Sequence, residues 1–177
     1  MIKLMNVAAI CTLLLTAAAS AAGYDSELEA LNKRFVVTDP EIANADASSK
    51  RQMTCIALNV YFESRGTIER QQEGVAWVVK NRSKSNKFAG SNMCDVVFQR
   101  MGGFPQFAWI AHPSKGYESG SWKQAQAIAK GVFYDRIPDP THGALSFHEV
   151  NLPAKFRKYD RGGLRIGSHV FYNIAAK

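Results

Sequence analysis

Apolar residues recur at helical spacing through the middle of the chain. Met53, Ile56, Ala57, Val60 and Tyr61 fall on one side of a helix, and Glu63 lies on that same stripe, three positions after Val60. Ser49-Lys-Arg-Gln52 has the form of a capping box that starts this helix, and Arg65-Gly66 breaks it. Thr67 is placed to cap a second helix reaching about residue 84, with Val75, Val78, Val79 and Arg82 along it. Gly74 inside that helix costs about 1 kcal/mol relative to Ala, so it predicts a close helix–helix approach. Ser91 or Asn92 caps a short amphipathic helix over 94–100, with Val97 and Phe98 on its apolar side. Residues 101–113 mix aromatics with Gly and Pro and exclude regular helix. A third long helix over 121–136 carries Trp122, Ala125, Ile128, Ala129, Val132 and Phe133 on one side. Ahead of all of these, Leu28, Leu31 and Phe35 predict a short helix, followed by a flexible approach over 38–47.

The pattern changes after the third long helix. Asp139-Pro-Thr-His-Gly143 is turn chemistry. Runs over 143–150 and 164–172, rich in Phe, Val, Ile and Tyr, predict two antiparallel strands joined by a basic connection over 151–163. Helices first and a small sheet last give an α+β domain. The first 22 residues read as a secretory signal: Lys3 for the charged region, an apolar run over 7–19, and Ser20-Ala21-Ala22 as a cleavage site. That run is shorter than the roughly 20 residues a membrane span needs. The expected organisation is a signal over 1–22, an N-terminal segment over 23–47 and the main domain over 48–177, exported to the periplasm or secreted, with no membrane anchor after cleavage.

Export changes how the cysteines are read. Discarding Cys11 with the signal leaves Cys55 and Cys94, for which a disulfide is the default in an oxidising compartment. Such a bridge closes a loop of about forty residues and typically contributes about 2–4 kcal/mol. The full chain carries +7 from 22 basic and 15 acidic residues; removal of Lys3 leaves 21 against 15, or +6. That balance suits a polyanionic surface such as a bacterial envelope. The positive residues are scattered and form no nucleic-acid motif, so no nucleic-acid partner is expected.

Glu63 is the candidate for chemistry. An acid held against aromatic and aliphatic neighbours has its charged form disfavoured, which is the state a general acid needs near neutral pH. The structural alternative is an ion pair with Arg65, Lys80 or Arg82 at the helix junction.

The wider constellation decides between the two. Tyr61-Phe-Glu-Ser-Arg-Gly66 and Glu73-Gly-Val-Ala-Trp-Val-Val-Lys-Asn-Arg82 resemble the core of the SleB/CwlJ-type cell wall hydrolases. So do Cys94-Asp-Val-Val-Phe-Gln99, Gln106-Phe-Ala-Trp109, Asp139-Pro-Thr-His-Gly-Ala-Leu-Ser-Phe-His148 and Ile166-Gly-Ser-His-Val-Phe-Tyr172, in the family's order. The resemblance implies a mainly helical domain related to lysozyme and lytic transglycosylases, acting without a cofactor or metal on peptidoglycan glycan strands. It implies cleavage between N-acetylmuramic acid and N-acetylglucosamine, with Glu63 as the single acid/base and a 1,6-anhydro product. It also implies a groove shaped by Tyr61, Gln99, Phe107, Trp109, Thr141, His148 and Tyr172. Ser64 stands where the family usually has Ala, Ser146 replaces an aromatic often seen before Phe-His, and Phe156 is the nearest substitute for an expected Trp between the strands.

Three other readings compete. A hydrolytic muramidase needs a second carboxylate, for which Glu73, Asp95, Asp139 and Glu149 are the candidates. A zinc amidase or peptidase finds only half a motif in His148-Glu149, because Leu152 stands where the second His is required. A catalytically silent wall-binding module fits the basic, aromatic composition but gives Glu63 no role.

Overall fold

A computed structural model describes residues 23–88, 92–152 and 162–173. The signal reading over 1–22, Ser91, and Phe156 with most of the basic connection lie outside the described residues. The chain divides into two compact units, Met1–Val36 and Val37–Lys177. In the first, helix α1 (Asp25–Arg34) places Asp25 and Glu27 in its first turn and Lys33 and Arg34 in its last, each favourable toward the macrodipole. No described helix is long and apolar enough to cross a membrane.

The second unit is built around helix α3 (Ala47–Ser64), in which every residue over 53–61 is buried. The apolar stripe is therefore wider than one face, as a helix takes when surrounded by packing partners. It packs against α6 (Ser119–Phe133), α4 (Glu69–Lys84) and α5 (Met93–Phe98). Cys55 and Cys94 form a disulfide, Cα–Cα 5.3 Å, that joins α3 to α5.

The caps differ in part from expectation. Asp46, rather than the 49–52 box, starts α3 by accepting a hydrogen bond from the Ser49 amide. Thr67 does not cap α4; its hydroxyl turns back to the Ser64 carbonyl (2.8 Å), and the cap position is Ile68. Asn92 caps α5 through the Asp95 amide, as its sequence position predicts. The approach to α3 is ordered by a short helix, α2 (Pro40–Asn44), with Asp39 as cap and Pro at its first position. This approach is fixed to α6. Gln126 accepts from the Thr38 and Asp39 amides (2.7 and 3.1 Å), and Lys130 pairs with Asp39 (2.7 Å).

Residues 100–110 form a two-strand hairpin, β1 (Arg100–Met101) with β2 (Phe104–Pro105), then a 3₁₀ turn at Ala108–Ile110. The second predicted strand is itself a hairpin, β4 (Leu164–Ile166) and β5 (His169–Tyr172), so with β3 (Ser146–Glu149) the sheet has order β3-β5-β4 and is antiparallel throughout. Gly167, at φ +61°, makes the hairpin turn against Gln71, whose side chain accepts from the Ser168 amide (2.9 Å) and donates to its hydroxyl (3.1 Å). Gly74 does mark a close approach, but to the sheet and not to a helix: a Cβ there would lie 2.7 Å from Phe171 Cζ. Lys80 is buried and caps the end of α6, donating to the Val132 and Phe133 carbonyls (2.7 and 3.0 Å) and pairing with Asp135 (2.8 Å).

Candidate active site

Glu63 stands on the last turn of α3, half-buried, just before Gly66 reverses the chain at φ +79°. Among the described residues it makes no direct ion pair or hydrogen bond. Burial pushes its pKa up to about 7; Arg82 pulls it down and Glu149 pushes it further up. Two of the three predicted ion-pair partners are engaged elsewhere. Lys80 closes α6, and the Arg65 guanidinium lies over the Tyr61 ring, 4.9 Å from its centroid. Arg82 is the one whose charge reaches Glu63.

Arg82 projects from α4 and is only 6% exposed. Its Nε donates to the Leu145 carbonyl (2.7 Å), and its guanidinium is covered by Phe88 and Phe107 at 4.7 and 5.1 Å. Burial lowers its pKa to about 10, opposed by Tyr172 and Glu63, so it is cationic at neutral pH. Its Nη1 is buried without a hydrogen-bond partner among the described residues.

Glu149 comes from the end of β3. Pairing with β5 sets it opposite His169, whose Nε2 donates to Glu149 Oε1 (2.9 Å). His169 is buried; its pKa is lowered by that burial and raised by Glu149, with the burial dominant. Two further acids raised as second carboxylates are occupied. Asp139 accepts from Asn81 (2.9 Å), from the Thr141 amide (2.8 Å) and hydroxyl (2.6 Å), and from the Gly143 amide (2.8 Å), while Asp95 binds its own cap. Glu73 responds to burial, Glu69 and Arg70, and not to Glu63.

The packing beside Glu63 is aromatic, and two residues expected to line a groove, Phe107 and Trp109, are buried within it (3% and 6% exposed). Phe62, next to Glu63, stacks on Trp109 with centroids 4.5 Å apart and planes 14° apart. The Trp109 indole donates to Asn59 Oδ1 (2.9 Å), one turn before Glu63 on α3, so a single helix positions both the acid and the aromatic packing. Phe98 meets Trp109 edge-on, and Phe107 lies between Arg82 and Phe147.

The other predicted groove residues take different places. Gln99 ends α5, half-buried, with its Oε1 enclosed and unpartnered among the described residues. His148 and Tyr172 sit together, centroids 5.5 Å apart, on the sheet face opposite Phe147, His169 and Phe171. Tyr61 is fully buried; its hydroxyl accepts from the Glu118 amide (2.9 Å) and donates to the Gly116 carbonyl (3.4 Å). Thr141 is buried in the Asp139 turn. These two brace the framework from within. Asn59, Phe62 and the Glu149–His169 pair are what sequence reading did not assign. Asn59 had a local signal, four residues before Glu63, whereas the pair depends on strand register.

Comparison with known proteins agrees with this fold. The cell wall hydrolase family matches residues 66–172, a span that opens three residues after Glu63. The catalytic domain of the Bacillus cereus SleB protein superposes with a TM-score of 0.53 at 24% identity, covering 73% of this chain and 94% of that one. The catalytic domain of the germination-specific lytic transglycosylase SleB from Bacillus anthracis gives 0.52 at 24% identity, covering 73% and 99%. No curated protein sequence matches. With the family pattern running from Gly66 through the last strand and the fold shared with two SleB catalytic domains, the chain belongs to the cell wall hydrolase family.

Proposed function

We propose that this protein cleaves the glycan strands of peptidoglycan between N-acetylmuramic acid and N-acetylglucosamine as a lytic transglycosylase, with Glu63 as its only acid/base. The observation that carries this reading is a carboxyl half-buried beside aromatic packing, free of any direct partner among the described residues, with a pKa near 7. Such a group is protonated often enough at neutral pH to act as an acid and ionises readily enough to act next as a base.

Glu63 first gives its proton to the glycosidic oxygen as the C1–O bond breaks and positive charge develops at the ring. The resulting carboxylate then takes the proton of the muramoyl 6-hydroxyl while that oxygen bonds to C1. The 1,6-anhydro ring closes, the acid is restored, and no water is consumed. Phe62, half-buried and stacked on Trp109, offers an apolar ring edge suited to a sugar face, while Phe107 and Trp109, 3% and 6% exposed, back it from within the fold. Action on the wall requires export, which residues 1–22 provide in this reading.

A second reading is hydrolysis, favoured by the electrostatic contact between Glu149 and Glu63. Glu149 is then the base that activates water. Mass spectrometry of muropeptides released from purified peptidoglycan, beside Glu63→Gln, separates the two. Anhydromuramoyl ends made only by the wild type are the expected result. Reducing muramoyl ends, lost in Glu149→Gln, establish hydrolysis, and cut stem peptides on intact glycans overturn both.

A further inference from the structure

A single carboxyl that must serve as acid and then as base faces a physical conflict. The apolar wall that keeps it protonated at the start also resists the anion that exists once the proton has gone. A site built on one carboxyl needs something to hold that anion, and the surroundings of Glu63 contain one fixed positive charge that fits.

We propose that Arg82 is a positioning residue for the reaction, a buried counter-charge that holds Glu63 as carboxylate between its two proton transfers. The inference rests on the assignment of Glu63 as the acid/base. Three observations support it. First, Arg82 is 6% exposed and has no salt-bridge partner among the described residues. An unpaired buried cation is costly, and hydrophobic residues of similar volume would fill the space at less cost. Second, its anchors hold the cation without neutralising it: the Leu145 carbonyl is an uncharged acceptor, and Phe88 and Phe107 offer ring faces. Third, its Nη1 has no partner among the described residues, so this guanidinium keeps unused donor capacity; the Arg65 Nη1 is unpartnered as well, but the cation whose charge acts on Glu63 is Arg82. A purely structural arginine is expected to have its donors satisfied.

The other charged and titratable groups around Glu63 set the opposite bias. Glu149 on β3 disfavours the Glu63 anion, and His169 on β5 is bonded to Glu149, with His148 next to it in β3. Tyr172 on β5 acts on Arg82. Arg65, in the turn after α3, lies over Tyr61. Within this set Arg82 is the group that favours the carboxylate, and its effect grows as the substrate excludes water from the site. The protons balance without it. Arg82 neither gives nor takes one; it changes how readily Glu63 does.

The test is a carboxyl titration of Glu63 by NMR in protein labelled with 13C-glutamate, for wild type, Arg82→Met and Arg82→Lys, with a pH–rate profile for each. In Arg82→Met the Glu63 midpoint is expected to rise by about one pH unit, the alkaline limb of the profile to move with it, and kcat to fall about tenfold or more. Arg82→Lys, which keeps the charge, is expected to restore the midpoint and most of kcat. A folded Arg82→Met with an unmoved midpoint overturns the proposal, because loss of packing alone does not shift a titration in this direction. Should Arg82→Met fail to fold, a folded Arg82→Lys with the wild-type midpoint but no activity also overturns it. An active Glu63→Gln instead removes the assignment of the acid, while the titration still reports what Arg82 does to the carboxyl.

Discussion

Burial and the Arg82 charge act on Glu63 in opposite directions, and burial, helped by Glu149, prevails, leaving a pKa of about 7 against an ordinary value of 4.5. The folded state therefore binds a proton that the unfolded chain releases between those pH values. The stability associated with this carboxyl is fully present below about pH 4.5 and is lost as pH rises through about 7. Replacing Glu63 with Gln removes the ionisation while keeping the shape. Glu63→Gln is expected to be more stable than wild type at pH 8 by about 2 kcal/mol, after allowance for the group's partial exposure, and nearly equal to it at pH 5. Denaturant unfolding at the two pH values measures this, and a pH-independent difference would show that the carboxyl is not held neutral. At this scale the sequence was informative about the acid and less so about its surroundings. Glu63 stood on an apolar stripe at a helix end, which local spacing reveals. Arg82 was visible only as one of three cations able to pair with it, since nothing local says that Lys80 turns to α6 and Arg65 to Tyr61. Glu149 and His169 are twenty residues apart and meet only through the register of β3 with β5.

At the scale of elements, helices were legible where one signal dominated. The apolar side of α6 and the Asn92 cap of α5 are local features, and both are present. Capping failed where two local candidates competed. Asp46 outranked the box over 49–52, and Thr67 spent its hydroxyl on the helix behind it. Gly74 shows the limit more sharply, because its sequence context announces a close approach but not the partner. The partner is Phe171 on β5, with Thr141 Cγ2 also within 3.1 Å of a Cβ placed there. Helix propensity predicts that Gly74→Ala stabilises by about 1 kcal/mol; the contact predicts the reverse. We expect a net loss of about 1–3 kcal/mol, because Phe171 is held within a tightly packed cluster with Val75, Val78, Ala144 and Ile166. Thermal unfolding of Gly74→Ala decides it, and a raised Tm would mean that the sheet can yield.

For the whole molecule, an α+β domain with helices first and a small sheet last could be read from the order of periodicities, and the family from motifs spread along the chain. The sheet order could not, because a turn at Gly167 divides what looks like one strand into two. The disulfide was the default for two cysteines left after a signal, and it joins the helix that carries Glu63 to α5. Its loss through Cys94→Ser paired with Cys55→Ser is expected to lower stability by about 2–4 kcal/mol. Equilibrium unfolding with and without the bridge gives the difference. An unchanged midpoint would mean that the packing of α3 against α4 and α6 suffices.

The sheet order also has a consequence for the order of synthesis. β5 lies between β3 and β4, yet among the described elements it is the last to leave the ribosome. Until it arrives, β3 and β4 have no neighbour, Glu149 has no His169, and Gly74 faces no Phe171. A growing chain thus carries Glu63 from an early stage without a placed Glu149, whose charge adds to its proton affinity. The charge balance at Glu63 is in this way completed only when the last described strand has paired.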